Sequence, residues 1–298
     1  MKKLFFYLRR KLLSDLTVQL ASLEEKISNT HTGRESQLIL KNQYKNLSEE
    51  NISKYSFGEV GFRRYSQNTE DGILLFIFSL IGVTNKTVLE ICAGDGIECN
   101  AANLVINHGW NAFLFDGDAE RQKAGKLYYS RHPDTFTFPP RFINAWITKE
   151  NINQLITDNG LSGEIDLLSL DLDGNDYWIW EAISCVNPRV VVAEIQCIWG
   201  NDKAVVVPYT PDFTAKFIDG FGVYSGGSLP AFVQLAKKKG YRFVGLEKFG
   251  FNAFFIRDDI APGLFPEANP AIIEEIPFVI WAKKNLLPKV AAFEWQTV

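Results

Sequence analysis

Three carboxylates stand at or just beyond the ends of two apolar runs. DLLSLDLDGNDYW places Asp171 and Asp173 after one run, and PRVVVAEIQ places Glu194 at the end of another. One of them could act as a general base on a hydroxyl group, or Asp171 and Glu194 could hold a Mg²⁺ that lowers the pKa of that hydroxyl. A structural role is also open for Asp173, because it could cap the helix predicted to begin near Asp176.

A glycine-containing turn follows a further apolar run, in VLEICAGDGIECN at residues 88–100. Gly94 and Gly96 flank an aspartate there, and glycines let backbone amides approach a ligand with no Cβ in the way. The helix expected just beyond adds its free N–H groups at the same place. The turn therefore indicates a site for a ligand with polar and acidic groups.

The glycine spacing and a later aspartate narrow the kind of ligand. A dinucleotide site would show the pattern GxGxxG, but Glu98 and Cys99 follow Gly96, so the third glycine is missing. The next apolar run ends in FLFDGD. This places Asp116 about twenty residues beyond Gly96, where a carboxylate can accept hydrogen bonds from ribose hydroxyls. A ribose without a pyrophosphate is what S-adenosylmethionine offers.

The elements that would position these residues alternate along the chain. Strands are predicted at 87–92, 111–116, 141–145, 165–171 and 189–195, and helices at 70–81, 99–108, 119–130, 149–158, 176–184 and 228–239. YRFVGLEKFGFNAFFIRDD predicts a terminal antiparallel hairpin, which brings the strands to seven. We therefore predict an α/β fold with a Rossmann-like seven-stranded sheet, whose ligands bind at the carboxyl ends of the strands.

The stretch 198–227 interrupts this alternation with glycines, prolines and aromatic residues. A segment of this length without periodicity is usually functional or disordered, and its aromatic content favours function, so we predict a substrate-side loop. Tyr224, Ser225 and Ser228 precede the helix at 228–239, whose N-terminus could receive an anionic group. A phosphate-bearing or nucleotide-linked sugar is the ligand that this feature suggests.

Composition excludes several classes of protein. The 298 residues are 46% hydrophobic, which supports a globular core, and 31 Lys and Arg against 35 Asp and Glu give a net charge of -4. The chain therefore lacks the excess of basic residues that would indicate nucleic acid binding. The four cysteines show no CxxC spacing, which disfavours disulfides and zinc. No apolar run approaches the roughly 20 residues of a membrane span and no leader is evident, so we expect a cytoplasmic protein.

The N-terminus carries an amphipathic pattern. Leucines and one isoleucine recur every three or four residues over 1–28, so we predict an N-terminal helical arm and linker over 1–48 and the main domain over 49–298. A second short helix is expected at 36–48. Three interpretations of the first helix remain open: docking on its own domain, oligomerisation as a coiled coil, or peripheral contact with an anionic membrane through its basic residues.

The motifs taken together resemble a known family. Glu90-Ile-Cys-Ala-Gly94-Asp95-Gly96 with Asp116 is similar to the first two motifs of Rossmann-like (class I) S-adenosylmethionine-dependent methyltransferases, over about residues 60–260. More narrowly, the ordered set YSQNTEDG, VLEICAGDGIECN, GWNAFLFDGD, ITKENIN, DLLSLDLDGNDYWIW, PRVVVAEIQ, KKGYRFVG and GFNAFFIRDD resembles the FkbM-type group. Members of that group are associated with O-methylation of sugars and other hydroxyls.

The resemblance implies roles for individual residues. Gly94 and Gly96 would line the methionine part of the cofactor, Asp116 would hold the ribose, and Ala145 with Trp146 would flank the adenine. The remaining cofactor residues implied by these motifs are Gln67, Asp71, Glu90, Asp95 and Asn100. Asp171, Asp173 and Glu194 would face the transferred methyl. The chain departs from the family at Cys92, where a glycine is common, and at Ala101, where a threonine is expected after Asn100.

The predicted function is thus S-adenosylmethionine-dependent O-methylation of a hydroxyl on a sugar, a glycan or another small molecule, with Mg²⁺ as the alternative to a general base. One rival is an NAD-dependent oxidoreductase, which the absent third glycine disfavours. The other is a catalytically inactive protein that keeps the nucleotide pocket and binds glycan-modifying enzymes. Both rivals fit the same broad fold, so the site must discriminate between them.

Overall fold

The computed structural model describes residues 33–298, which are organised around one seven-stranded sheet. Its spatial order is β3-β2-β1-β4-β5-β10-β9, and β10 alone runs opposite to the other six strands. The seven strands are β1 Thr87–Ile91, β2 Asn111–Asp116, β3 Arg141–Asn144, β4 Gly163–Leu170, β5 Val186–Glu194, β9 Tyr241–Leu246 and β10 Asn252–Arg257. This mostly parallel sheet with its reversed strand is the Rossmann-like fold of class I methyltransferases, as predicted.

Helices cover both faces of the sheet. They are α1 Arg34–Lys45, α2 Glu49–Ile52, α3 Phe57–Val60, α4 Glu70–Ile81, α5 Asn100–His108, α6 Ala119–Arg131, α7 Ile152–Asp158, α8 Asp176–Ala182, α9 Leu229–Lys239, α10 Pro277–Asn285 and α11 Leu287–Val290. Each of the six helices predicted between residues 70 and 239 is present, and their ends differ from the predicted ends by three residues at most. No helix among residues 33–298 has the length and apolarity needed to cross a bilayer.

Two hydrophobic cores lie on opposite faces of the sheet because side chains alternate along each strand. In β1, Leu89 packs into one core and Val88 into the other, and neighbouring Leu168 and Leu167 of β4 divide in the same way. All of β1 is buried. A strand that is buried on both faces has a continuous apolar sequence, which is why apolar runs predict the parallel strands.

A third, smaller core lies outside the seven-stranded sheet. It joins the segment after β5 to the C-terminal helices, with Trp199, Tyr224 and Leu286 among its buried residues. Two short ribbons contribute: β6 (Val205–Val206) pairs with β11 (Gln296–Thr297), and β7 (Lys216–Ile218) pairs with β8 (Phe221–Tyr224). The stretch 198–227 is therefore ordered by contacts with the C-terminus.

The helix expected at 36–48 is present as α1, and it packs on α4. The buried side chain of Gln37 exchanges hydrogen bonds with Asn103 of α5 at 2.9 and 3.1 Å, and Tyr44 stacks edge-on against Phe76. Helix α1 thus packs against the core that contains Val88. The amphipathic helix predicted at 1–28 lies outside the described residues.

Candidate functional site

The turn between β1 and α5 is held open by left-handed backbone. Cys92, Gly94 and Gly96 have φ of 62°, 59° and 68°. A Cβ at Gly96 would lie 2.6 Å from Leu114 Cδ1, so this glycine is needed for packing. A Cβ at Gly94 would meet nothing closer than Arg121 Nη1 at 3.5 Å. Gly94 is therefore the glycine that leaves space for a ligand.

Asp116 at the end of β2 is fixed beside this turn. Its Oδ2 accepts a hydrogen bond from Gly94 N at 2.7 Å, and its Oδ1 accepts one from Asp118 N at 2.7 Å. A carboxylate has about four acceptor positions, so each oxygen keeps one for a ligand. The side chain is thus oriented to accept two hydroxyl donors, as the vicinal hydroxyls of a ribose provide.

These residues border a cavity of about 530 Å³, called here the first cavity. Eight of the predicted site residues line it: Gln67, Glu90, Gly94, Asp95, Asn100, Asp116, Asp171 and Asp173. Pockets of about 300–1,000 Å³ hold ligands of nucleoside size. The cavity is therefore large enough for a nucleoside with an amino-acid side arm.

Glu90 is directed at the N-terminus of α5. Its Oε1 accepts from Asn100 N at 2.9 Å and its Oε2 from Ala101 N at 2.7 Å, while Ser169 Oγ donates to Oε1 at 3.2 Å. Cys99, at the N-cap position, provides no side-chain cap. Burial raises the pKa of Glu90, and the amide hydrogen bonds oppose that rise. Glu90 thus caps α5 from a neighbouring strand.

Asp71 is buried, lies outside the lining of the first cavity and binds the backbone of the preceding loop. Its Oδ2 accepts hydrogen bonds from the amides of Arg64, Tyr65 and Ser66 at 2.6–2.8 Å. Ser66 Oγ in turn accepts from Asp71 N at 3.2 Å. Burial raises the pKa of Asp71 to about 6. Asp71 therefore shapes the loop that carries Gln67.

Ala145 and Trp146 follow β3 and lie next to Asp116, outside the lining of the first cavity. Ala145 N donates to Asp116 O at 3.0 Å. The Trp146 side chain is 59% exposed, donates from Nε1 to Pro211 O at 2.7 Å, and passes close to Gly117. Trp146 thus exposes its indole ring close to Asp116, and its predicted contact with the adenine stays a prediction.

The three predicted carboxylates converge. One oxygen each of Asp171, Asp173 and Glu194 lies within 4.8 Å of the others. Burial and the charges of Asp176 and Asp173 raise the pKa of Asp171 to about 7, and a hydrogen bond with Glu194 opposes this rise. Burial and the charge of Asp171 raise the pKa of Glu194 well above its usual value. Carboxylates this close repel each other, so Asp171 and Glu194 together retain a proton at neutral pH.

The capping role considered for Asp173 is not what the structure shows at this helix end. The N-cap of α8 is Asn175, which makes no side-chain cap hydrogen bond. Asp176 holds the loop instead, because its carboxylate accepts from Leu172 N at 2.6 Å and Gly174 N at 3.1 Å. Asp173 has a left-handed φ of 53° and is exposed. Its carboxylate is thus presented to the cavities by a loop that Asp176 fixes.

Sequence reasoning missed other residues of the first cavity, including Glu70, Arg121 and Asn252. Glu70 is buried and accepts from Asn252 Nδ2 at 2.9 Å and from Asn68 N at 2.9 Å. Glu70 stands in the same YSQNTEDG motif as Gln67, so its neighbourhood carried a signal. Asn252 begins β10 and is 182 residues away from Glu70, so only the fold brings the two together.

Two further sets of polar side chains make hydrogen bonds within the protein. His108 contacts Gln37 Oε1 at 2.8 Å, and burial lowers its pKa to about 4, so it is a structural histidine. Ser228 Oγ accepts from Val205 N and Ala231 N and donates to Lys203 O. Ser225 Oγ accepts from Gln196 Nε2 and donates to Gly222 O. The anion site suggested before α9 therefore lacks free hydroxyls.

A second cavity, of about 220 Å³, adjoins the first and shares Gln67 and Asp173 with it. Glu194 lines this second cavity. Its remaining walls come from the end of β5, the β7–β8 ribbon and the C-terminal helices. The stretch 198–227 therefore reaches the site, as expected of a substrate-side loop.

Comparisons with known proteins find similar solved structures but no similar sequence. No family model and no curated protein matches the sequence. Solved structures similar to it include a putative caffeoyl-CoA O-methyltransferase from Staphylococcus aureus, 15% identical, with a TM-score of 0.42 over 74% of this chain and 97% of that one. Another is magnesium protoporphyrin IX methyltransferase from Synechocystis with bound SAM, 8% identical, with a TM-score of 0.39 over 74% and 96% of the two chains.

Proposed function

We propose that this protein is an S-adenosylmethionine-dependent O-methyltransferase that acts on a hydroxyl of a sugar or glycan. The observation that carries the proposal is the arrangement of the first cavity. It has a ribose-type carboxylate, Asp116, at one place and the carboxylates Asp171 and Asp173 at another. The resemblance of the motifs to FkbM-type methyltransferases supports the choice of a sugar hydroxyl.

The residues of the first cavity fit this cofactor by their chemistry. Asp116 keeps acceptor positions for two ribose hydroxyls, and Gly94 leaves room beside it. S-adenosylmethionine carries a sulfonium and an ammonium group, and the acidic lining of the cavity favours both cations. Bound there, the cofactor would supply an electrophilic methyl group.

The same cavity disfavours a dinucleotide. In a dinucleotide site, the free amides at the start of the first helix bind the pyrophosphate. Here the amides of Asn100 and Ala101 already donate to the Glu90 carboxylate. A pyrophosphate would meet a negative charge at the place where it needs donors. This observation agrees with the missing third glycine.

The chain's own part in transfer would be alignment and removal of a proton. Methyl transfer forms a bond between the methyl carbon and the hydroxyl oxygen and breaks the carbon–sulfur bond, and the hydroxyl proton must leave. Asp171, with its pKa raised to about 7 by burial and neighbouring acids, is suited to accept that proton near neutral pH. Asp173 and Glu194 would orient the hydroxyl.

The carboxylate cluster also supports the second role considered for it. Three oxygens within 4.8 Å suit the oxygen preference of Mg²⁺, and a cation would relieve the repulsion among them. The two roles give opposite results in EDTA. Transfer that continues in EDTA assigns Asp171 as the base, and transfer that stops and returns with Mg²⁺ assigns a cation to the cluster.

Calorimetric titration with S-adenosylhomocysteine, S-adenosylmethionine and NADH tests the proposal. We expect binding of the first two and not of NADH. An Asp116→Ala variant should bind S-adenosylhomocysteine at least ~10-fold more weakly, because two charge-assisted hydrogen bonds are lost. The exposed Asp158→Ala is the matched control. Binding of NADH alone would favour the oxidoreductase, and cofactor binding without transfer to any hydroxyl would favour the inactive binding protein.

A further inference from the structure

Both cavities border the carboxylate cluster, and each is lined by a different part of it. Gln67 and Asp173 belong to the walls of both cavities, and Glu194 lines the second. The oxygens of Asp173 and Glu194 lie within 4.8 Å of one another and of an Asp171 oxygen. A group that occupies the second cavity therefore reaches the same carboxylates as a ligand in the first cavity.

The ionisable side chains on the walls of this cavity are all acidic. Asp173 and Glu194 are its charged residues, and among residues 33–298 no lysine, arginine or histidine lines it. Three lysines on the surrounding elements are engaged elsewhere. Lys283 pairs with Asp202 and Glu274, Lys289 pairs with Asp219, and Lys216 lies over the Tyr224 ring. A phosphate or carboxylate in this cavity would be repelled and would find no cation.

Aromatic rings also line the second cavity and give part of its wall an apolar surface. Phe251 and Phe278 are 4.9 Å apart between ring centroids, and Phe221 lies 6.0 Å from Phe278. Phe217 is 66% exposed and stands at the cavity lining. The volume of about 220 Å³ is below the range for drug-sized ligands, so it suits one ring rather than a sugar nucleotide.

We propose that the second cavity binds the hydroxyl-bearing ring of the acceptor, and that this ring is uncharged and presents an apolar face to Phe221, Phe251 and Phe278. The inference rests on the proposed function, since it takes the carboxylate cluster as the place of proton removal. It excludes phosphorylated and nucleotide-linked sugars from this cavity. A neutral sugar ring meets the requirement, because its C–H face packs on aromatic rings while its hydroxyls reach the carboxylates.

The experiment compares two probes that differ in one group. Phenyl β-D-glucopyranoside and the corresponding phenyl glucuronide are titrated into protein saturated with S-adenosylhomocysteine, and binding is followed by NMR. We expect the glucoside to bind at least ~10-fold more tightly, because the glucuronide carboxylate faces two acidic residues, Asp173 and Glu194, and no cation among the described residues of the cavity walls. Asp173→Asn should narrow that difference.

Two variants separate the cavity wall from general effects on folding. Phe221→Ala should weaken glucoside binding by about 5-fold or more through lost ring contact. Phe293→Ala removes a ring that packs on Tyr224 outside the cavity, and it should bind the glucoside as the parent protein does. Both variants should keep S-adenosylhomocysteine affinity.

The outcomes distinguish this inference from the proposed function. Three results would overturn the inference alone, provided that S-adenosylhomocysteine binds normally. The glucuronide could bind as tightly as the glucoside, neither probe could bind, or Phe221→Ala could leave glucoside binding unchanged. Failure to bind S-adenosylhomocysteine overturns the proposed function and, with it, the inference.

Discussion

At the scale of single residues, Asp171 should make folding stability depend on pH. Its pKa is raised, chiefly by burial, from 3.8 to about 7, so its contribution to stability is full below pH 3.8 and decreases as the pH rises to about 7. Asp171→Asn removes this loss. The change in the free energy of unfolding on mutation should therefore be more favourable at about pH 8 than at about pH 4.5, by about 1 kcal/mol or more.

Urea denaturation in EDTA at the two pH values measures this effect. Exposed Asp158 hydrogen-bonds only to Gln154 on its own helix, so Asp158→Asn should change stability equally at both. An equal effect of Asp171→Asn at the two pH values would show that this carboxyl is not held protonated by its surroundings.

Gly94 should separate ligand binding from backbone strain. Gly94→Ala places a Cβ in the first cavity next to Arg121, whereas Gly109→Ala has the same kind of left-handed φ, 65°, and open space around it. Both substitutions should cost about 1–2 kcal/mol of stability. Only Gly94→Ala should weaken S-adenosylhomocysteine binding, by at least ~10-fold, since steric exclusion adds to strain. Equal affinities in calorimetry would remove Gly94 from the cofactor site.

At the scale of elements, Glu90 should stabilise α5 from outside the helix. Glu90→Ala leaves the amides of Asn100 and Ala101 buried without acceptors, which should cost about 2–4 kcal/mol and lower the melting temperature. Glu98→Ala is the control, because its ion pair with Arg63 is exposed and should contribute less than about 1 kcal/mol. Thermal and urea unfolding measure both variants. A cost no larger than that of Glu98→Ala would contradict the capping role.

The elements also show what a sequence can predict. The parallel strands and their helices follow from local periodicity, and the predicted strand ends lie within three residues of the observed ones, as for β1 and β5. The third core could not be predicted in this way. Its β6–β11 ribbon joins Val205 to Thr297, and neither two-residue strand has a period to detect. Contacts between segments so far apart are fixed by the whole fold.

The same division applies to the candidate site. Gly94 and Asp116 were found because they follow strands, and the carboxyl ends of parallel strands meet at one edge of the sheet. The directions of the Glu90 and Asp71 side chains could not be deduced, because both carboxylates satisfy backbone amides that only the fold brings near them. Likewise the aromatic wall at Phe278 comes from a C-terminal helix that the sequence pattern did not assign to the site.

At the scale of the whole molecule, one end of the sheet carries the candidate site and the other end contributes to stability. The carboxyl ends of the strands carry both cavities and their strained loops. Near the amino ends, Arg189 of β5 donates to Asp166 of β4 at 2.8 Å, and Asp166 also accepts from the amides of Thr84, Asn85 and Lys86. This buried ion pair joins the loop before β1 to two central strands.

Arg189→Met should therefore lower stability without altering the site. Breaking a buried pair leaves the Asp166 charge without its partner, which should cost about 3–5 kcal/mol in urea unfolding. Arg34→Met, which breaks an exposed pair with Asp134, should cost less than about 1 kcal/mol. Below its melting temperature, the Arg189 variant should bind S-adenosylhomocysteine as the parent protein does. If its affinity fell as far as that of Asp116→Ala, the two ends of the sheet would be coupled, and the amino end would have to be counted as part of the site.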